Sequence, residues 1–213
     1  MSARCTGVIL AGGHASRYGG QAKGLERVGG VRVIDRVALA LASVSDELLL
    51  IANDPLGPTW LPGVRVALDV REDCGSLGGI HAALVHAASP VLVVAWDMPF
   101  VSSWLLGALR ALGESGHDAA LAESGSKRGV EPLCAWYAPA CIAPIERALD
   151  AGDRRVVAFF DAVRVARMPA GEVTRFGDPE RIFMNVNSPA ELALAERYAS
   201  TPDAGDRRHQ EAR

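Results

Sequence analysis

The chain has 213 residues, of which 49% are hydrophobic and 22% charged, and its formal net charge is −3. That length and balance suit one medium-sized globular domain. A slightly acidic chain is not built as a nucleic-acid or anionic-membrane surface, so any anion binding has to be local.

Read from the N-terminus, "MSARCTGVIL" lacks the longer apolar core of a secretion signal and runs straight into a strand pattern. The short apolar stretches 6–12, 47–53, 64–69 and 90–97 read as buried strands, too short for helices and too continuously apolar for a half-exposed edge. The last of them, "SPVLVVAW", falls far short of the roughly 20 residues of a membrane span. Between the strands lie helix patterns. Ile34, Val37, Leu41 and Val44 form one apolar stripe over residues 32–45, and residues 76–88 and 102–112 repeat the habit, the latter opening on serines suited to capping. Strands are expected at 118–123, 132–137 and 164–169, helices at 139–150 and 189–199, and a disordered tail over 200–213. The β-α alternation predicts a single α/β domain over residues 1–199, with a mainly parallel twisted sheet and helices on both faces. In such a sheet ligands bind beyond the carboxyl ends of the strands. Gly12, Asp69 and Asp97 all fall at such ends. The four cysteines, Cys5, Cys74, Cys134 and Cys141, have neither CxxC nor zinc-type spacing and read as free thiols of a reducing cytoplasm.

The stretch "GVILAGGHASRYGGQAKG" is neither a P-loop nor a GxGxxG fingerprint. It nevertheless combines backbone bare enough to approach a ligand at Gly12, Gly13, Gly19, Gly20 and Gly24 with a planar guanidinium at Arg17 and an ammonium at Lys23. Such a set matches a polyphosphate. No serine–histidine–aspartate set, activated thiol or zinc cluster stands out. Transfer to an acceptor that carries an ionised oxygen of its own, such as a phosphate monoester (second pKa about 6), would need none, only in-line positioning and neutralisation of charge. Asp97 in "WDMPF" is a strand-end carboxylate suited to Mg²⁺, or else a cap for the helix at 102. Asp69 offers the two acceptors that match N1–H and N2–H₂ of guanine, or else it pairs with Arg65 or Arg71. In "NVNS", Asn185 and Asn187 share one face if extended, while Ser188 or Asn187 is placed to cap the helix that Pro189 opens. Arg154 and Arg155 either meet an anion or begin a solvated helix. The five histidines form no motif.

"LAGGHASRYGGQAKG" resembles the LAGGxSxRxGxxK signature of the nucleotidyltransferases in their molybdenum cofactor guanylyltransferase form. The likeness continues in order through "LDVREDCGSLGGIHAAL", "VAWDMPFV", "EPLCAWY", "GDRRVVAFF" and "FMNVNSPAEL", covering roughly residues 6–198. It implies a Rossmann-like nucleotidyltransferase fold and transfer of GMP from GTP to the terminal phosphate of molybdenum-molybdopterin, with pyrophosphate released and Mg²⁺ as cofactor. By the same resemblance Arg17, Lys23 and Asp97 are catalytic, and Asp97 holds the metal. Leu10, Ala11, Gly12, Gly13, Lys23, Asn53, Asp69, Gly78 and Gly79 contact the nucleotide, and Arg154, Arg155, Asn185 and Asn187 contact the acceptor. A cytoplasmic monomer follows, in transient contact with cofactor-insertion proteins and binding neither nucleic acid nor membrane. Three residues depart from the family pattern: Tyr18 where methionine is usual, Trp96 where cysteine is common, and Ser188 for threonine. The alternatives are cytidylyl transfer to the same acceptor, which LAGG rather than LAAG argues against, guanylyl transfer to another phosphorylated small molecule, and a non-catalytic nucleotide or cofactor carrier.

Overall fold

The computed structural model describes residues 4–12 and 23–201. Gly13 and Arg17 lie outside the described residues, as does nearly all of the expected tail. Strands β1 (Thr6–Leu10), β4 (Glu47–Ile51), β5 (Arg65–Ala67), β6 (Val91–Ala95), β7 (Ala119–Glu123), β8 (Val130–Tyr137) and β9 (Val165–Met168) form one sheet in the order β5-β4-β1-β6-β8-β7-β9. β1 runs parallel to both β4 and β6, and β4 parallel to β5. β8 is antiparallel to both its neighbours, while β9 runs parallel to β7. Only β8 therefore points the other way, and the mainly parallel sheet read from the sequence is the sheet observed.

The residues of β1 and β6 alternate between two cores because successive side chains of a strand point to opposite faces. Ile9 and Val94 join Ile34, Leu41, Leu105 and Leu109 beneath α1 (Val33–Ala42) and α4 (Ser103–Glu114). Val8 and Val93 join Leu77, Ile80 and Leu84 of α3 (Gly75–Ala87) and Ile145 of α5 (Ile142–Asp150) on the opposite face. Each such side chain contributes about 1.5–3 kcal/mol by leaving water. Burial on both faces is why these strands read as unbroken apolar runs. Gly113, near the end of α4, has no side chain because the Trp136 ring occupies the space a Cβ would need.

Several elements were not anticipated. A two-stranded hairpin, β2 (Arg27–Val28) and β3 (Val31–Arg32), turns through Gly29 and Gly30, both at positive φ. Short helices α2 (Gly57–Trp60), α6 (Ala170–Val173) and α7 (Pro179–Ile182) fill connections. The helix expected over 139–150 begins as a 3-10 turn at Pro139 and becomes α5 only at Ile142. Helix α8 (Pro189–Ala199) forms with the expected bounds and packs on the hairpin through Val28, Val186 and Ala195. The four cysteines are free. Burial pushes the thiol of Cys5 up to about 11 and those of Cys134 and Cys141 to about 12. These three are inert packing groups, not nucleophiles. Among the described residues no helix is long and apolar enough to cross a membrane.

Strand order places the functional residues. From β1 the sheet grows one way to β4 and β5 and the other way to β6, so the crossovers diverge between β1 and β6. At such a switch point the strand ends leave a crevice.

Candidate active site

Four expected residues stand two positions beyond the carboxyl ends of four adjacent parallel strands: Gly12 after β1, Asn53 after β4, Asp69 after β5 and Asp97 after β6. The parallel ladder continues past the strands, since Ala11 N–H donates to the Ile51 carbonyl (2.9 Å) and Ala52 N–H to that of Ala67 (3.0 Å).

On one side of the crevice Asn53 and Asp69 are joined twice. Asn53 Nδ2 donates to Asp69 Oδ2, and the Asp69 backbone N–H donates to Asn53 Oδ1, both at 2.8 Å. A Cβ at Gly79 would meet Leu10 side-chain carbons at 3.5 Å and Asp69 Oδ1 at 4.0 Å, so Leu10, Asp69 and Gly79 border one space. Gly78 instead faces Cys74, whose Cβ would lie 2.6 Å from an added methyl. The arginines weighed as partners of Asp69 are engaged elsewhere: Arg71 with Asp150 at 2.5 Å, and Arg65 with the His86 carbonyl at 3.1 Å. Asp69 is thus held by an amide and, among the described residues, not neutralised by a guanidinium. Its carboxylate has lone pairs left for a ligand's N–H groups.

On the other side lie Lys23, Asp97 and the segment before α8. Lys23 opens a 3-10 turn, Lys23–Leu25, and its Nζ donates to Asn187 Oδ1 at 3.0 Å. The Asp97 carbonyl accepts from Val186 N–H at 2.9 Å, which ties the strand end to the "NVNS" segment. Asp97 Oδ1 is buried and has no hydrogen-bond partner among the described residues. Burial pushes the Asp97 carboxyl above the usual carboxylate range; its own backbone N–H and the Lys23 ammonium pull it partly back, and Glu191 adds to the push. The reading of Asp97 as a helix cap does not hold, because Ser102 caps α4 by accepting from Leu105 N–H. Ser188 caps α8, accepting from Glu191 N–H at 3.2 Å while Glu191 Oε2 accepts from Ser188 Oγ and from Asn187 N–H, a reciprocal capping box. The Asn187 side chain is thereby left to face Lys23. Asn185 does not join it; its Nδ2 donates to the Phe183 carbonyl at 3.0 Å.

A third group of residues was only half anticipated. Arg154 and Arg155 line a depression together with Ser76 from the start of α3, Leu133 of β8, and Arg128 from the β7–β8 turn. The 153–156 segment is not a helix start. Arg155 forks onto Asp153, with its closest contact at 2.6 Å, and holds that carboxyl down to about 2. Register brings Leu133 to the carboxyl end of β6, because Cys134 pairs with Val94, three residues before Asp97. Arg128 was missed by the sequence reading; its signal was the basic pair "KR" preceding Gly129 between two strands.

The crevice sets an ammonium and a carboxylate on one side and an amide–carboxylate pair on the other, an arrangement suited to a nucleotide and its phosphates. Residues 7–166 match the family described as "MobA-like NTP transferase domain", and the chain belongs to that family. It is 36% identical to "Molybdenum cofactor guanylyltransferase" of Desulfosudis oleivorans, over 90% of this chain and 94% of that protein. It is 38% identical to "Probable molybdenum cofactor guanylyltransferase" of Pelotomaculum thermopropionicum, over 95% and 97% respectively. Among solved structures it superposes on "Molybdopterin-guanine dinucleotide biosynthesis protein A" from Archaeoglobus fulgidus with a TM-score of 0.77 and 28% identity, covering 92% of this chain and 98% of that one. The resemblance drawn from the motifs therefore holds along the chain. The protein is an enzyme of the nucleotidyltransferase class, which generally works with a divalent metal.

Proposed function

We propose that the enzyme transfers GMP from GTP to the terminal phosphate of molybdenum-molybdopterin, releasing pyrophosphate, with Mg²⁺ as the metal. The observation that carries this reading is the buried Asp97 Oδ1, without a hydrogen-bond partner among the described residues and within the electrostatic reach of Lys23 at a switch-point crevice, in a chain so similar to named guanylyltransferases. An orphaned carboxylate oxygen that burial penalises suits a cation. Among the described residues no three carboxylate, histidine or cysteine side chains cluster, which fits an ion completed by phosphate oxygens and water. Asp97 would hold Mg²⁺, which supplies neutralisation of phosphate charge when bound.

The protein's own groups do the rest. Asp69, steadied by Asn53, accepts from the guanine N1–H and N2–H₂, and the backbones of Leu10, Ala11, Gly12, Gly78 and Gly79 wall the base. Lys23 exchanges Asn187 for a phosphate oxygen and, with Arg17, balances the charge building on the leaving pyrophosphate. Gly13 and Arg17 carry their roles on the strength of the motif. Arg154, Arg155 and Arg128 draw the anionic acceptor to the depression beside β8, while the acceptor roles of Asn187, beside Lys23, and of Asn185, turned to the Phe183 carbonyl, rest on the motif. The acceptor's ionised phosphate oxygen forms the bond to the α-phosphorus as the α–β P–O bond breaks. No proton has to be removed, so no general base is required. We assign the reaction to a cytoplasmic monomer of one domain, residues 1–199, that meets cofactor-insertion proteins transiently and binds neither nucleic acid nor membrane.

The test is pyrophosphate release by purified enzyme with Mg²⁺ and molybdenum-molybdopterin, offered GTP, CTP or ATP. Release dependent on both acceptor and GTP is expected. A preference for CTP, or no release with any nucleotide, overturns the proposal.

A further inference from the structure

Two indoles connect the two halves of the crevice. Trp96 immediately precedes Asp97, and its ring stacks on that of Trp60, centroids 5.0 Å apart and 27° from parallel. Both are almost wholly buried. Trp96 N–H donates to the Leu10 carbonyl at 3.2 Å, so its backbone is fixed to the end of β1. Against this ring packs the bare backbone of the buried Gly24. A Cβ there would stand 2.5 Å from Trp96 Cε3 and 2.8 Å from Cδ2, so the Lys23–Leu25 turn rests directly on the indole face. Trp60 closes α2, which follows Asn53 in the chain, and α2 is drawn against the end of β4 so closely that a Cβ at Gly57 would lie 3.1 Å from that of Ala52. A stacked pair of rings is rigid, flat and directional.

We propose that Trp96, backed by Trp60, is the positioning residue for Lys23: it forms the floor on which Gly24 sits and so sets where the ammonium stands relative to Asp97. It touches no reacting atom and acts through the turn. The same stack bears, through Trp60, on the segment that carries Asn53, so the base-reading and phosphate-binding sides of the crevice share one rigid support. The inference rests on the role proposed above for Lys23.

Gly24→Ala tests it without removing any core atom. The added methyl lands on the indole and must lift the turn, and a displacement on the scale of an ångström at a phosphate-binding group can cost on the order of 100-fold in rate. In acceptor-dependent pyrophosphate release, kcat is expected to fall at least about tenfold while KM for GTP stays within about threefold. Trp96→Val should lower kcat similarly. The double variant Gly24→Ala/Trp96→Val should be no slower than Trp96→Val alone, because the methyl then fills vacated space. Unchanged kcat in Gly24→Ala, or losses that simply multiply in the double variant, overturns the positioning role. Lys23→Ala separates the two levels. If it leaves kcat intact, the role of Lys23 itself fails; if it abolishes turnover while Gly24→Ala does not, only the positioning by Trp96 fails.

Discussion

Replacing Asp97 by asparagine should move stability and catalysis in opposite directions. Burial raises the Asp97 pKa in the folded protein above the unfolded value, and Oδ1 has no partner among the described residues. A carboxyl so shifted stabilises the fold only when protonated: the contribution is complete below the ordinary carboxylate value and is lost as pH rises through the raised one. At neutral pH the ionised group therefore costs the apoprotein free energy. A buried unsatisfied polar group typically costs about 1–3 kcal/mol. Because the asparagine amide would itself lack a full set of partners, a net gain of about 1 kcal/mol is the reasonable share, roughly 2–4 °C in Tm for a chain of this size. In chelator at neutral pH, Asp97→Asn should melt above the wild type, and the gap should close as the pH is lowered toward the carboxylate range. Mg²⁺ should raise the wild-type Tm, by about 2.7 kcal/mol in stability at a hundredfold excess over Kd, and leave the variant unmoved. Pyrophosphate release should fall at least about 100-fold in the variant. A variant that melts below the wild type in chelator, or one that keeps Mg²⁺-dependent turnover, refutes the reasoning.

Other expectations concern specificity and packing. Asp69→Asn removes an acceptor for the guanine edge and should lower the GTP-over-CTP ratio of kcat/KM about 10- to 100-fold, the range of one or two hydrogen bonds; Asn53→Ala, which only releases Asp69, should lower it by about a few fold. An unchanged ratio in Asp69→Asn would remove it as the base reader. Arg155→Ala should raise KM for the acceptor about tenfold with KM for GTP unaltered, the effect being limited because Asp153 already occupies the guanidinium; a rise in KM for GTP instead would move the depression to the nucleotide side. Gly113→Ala drives a methyl into the Trp136 ring and should cost about 1–3 kcal/mol by thermal unfolding, with base preference untouched.

Local pattern carried much of this protein. Continuous apolar runs mark β1 and β6 as strands buried on two faces, the stripe from Ile34 to Leu41 marks α1, and Ser188–Pro189 marks the start of α8. These are properties of residues within a turn or two of each other, and side-chain period and capping chemistry express them directly. The ends of the buried strands likewise pointed to Gly12, Asp69 and Asp97, which the sheet sets beyond the carboxyl ends of adjacent parallel strands. What that pattern could not contain was the pairing. Lys23 meets Asn187 across 164 positions, Asn53 rather than an arginine holds Asp69, and Trp96 finds Gly24 and Trp60. The reversed direction of β8, and with it the placing of Leu133 by the carboxyl end of β6, also escaped notice, because a strand buried on both faces looks alike read in either direction. Such contacts are decided by strand order and by the closing of α8 over the hairpin. Their physical basis is the shared burial of segments far apart in the chain, which no local window of sequence expresses.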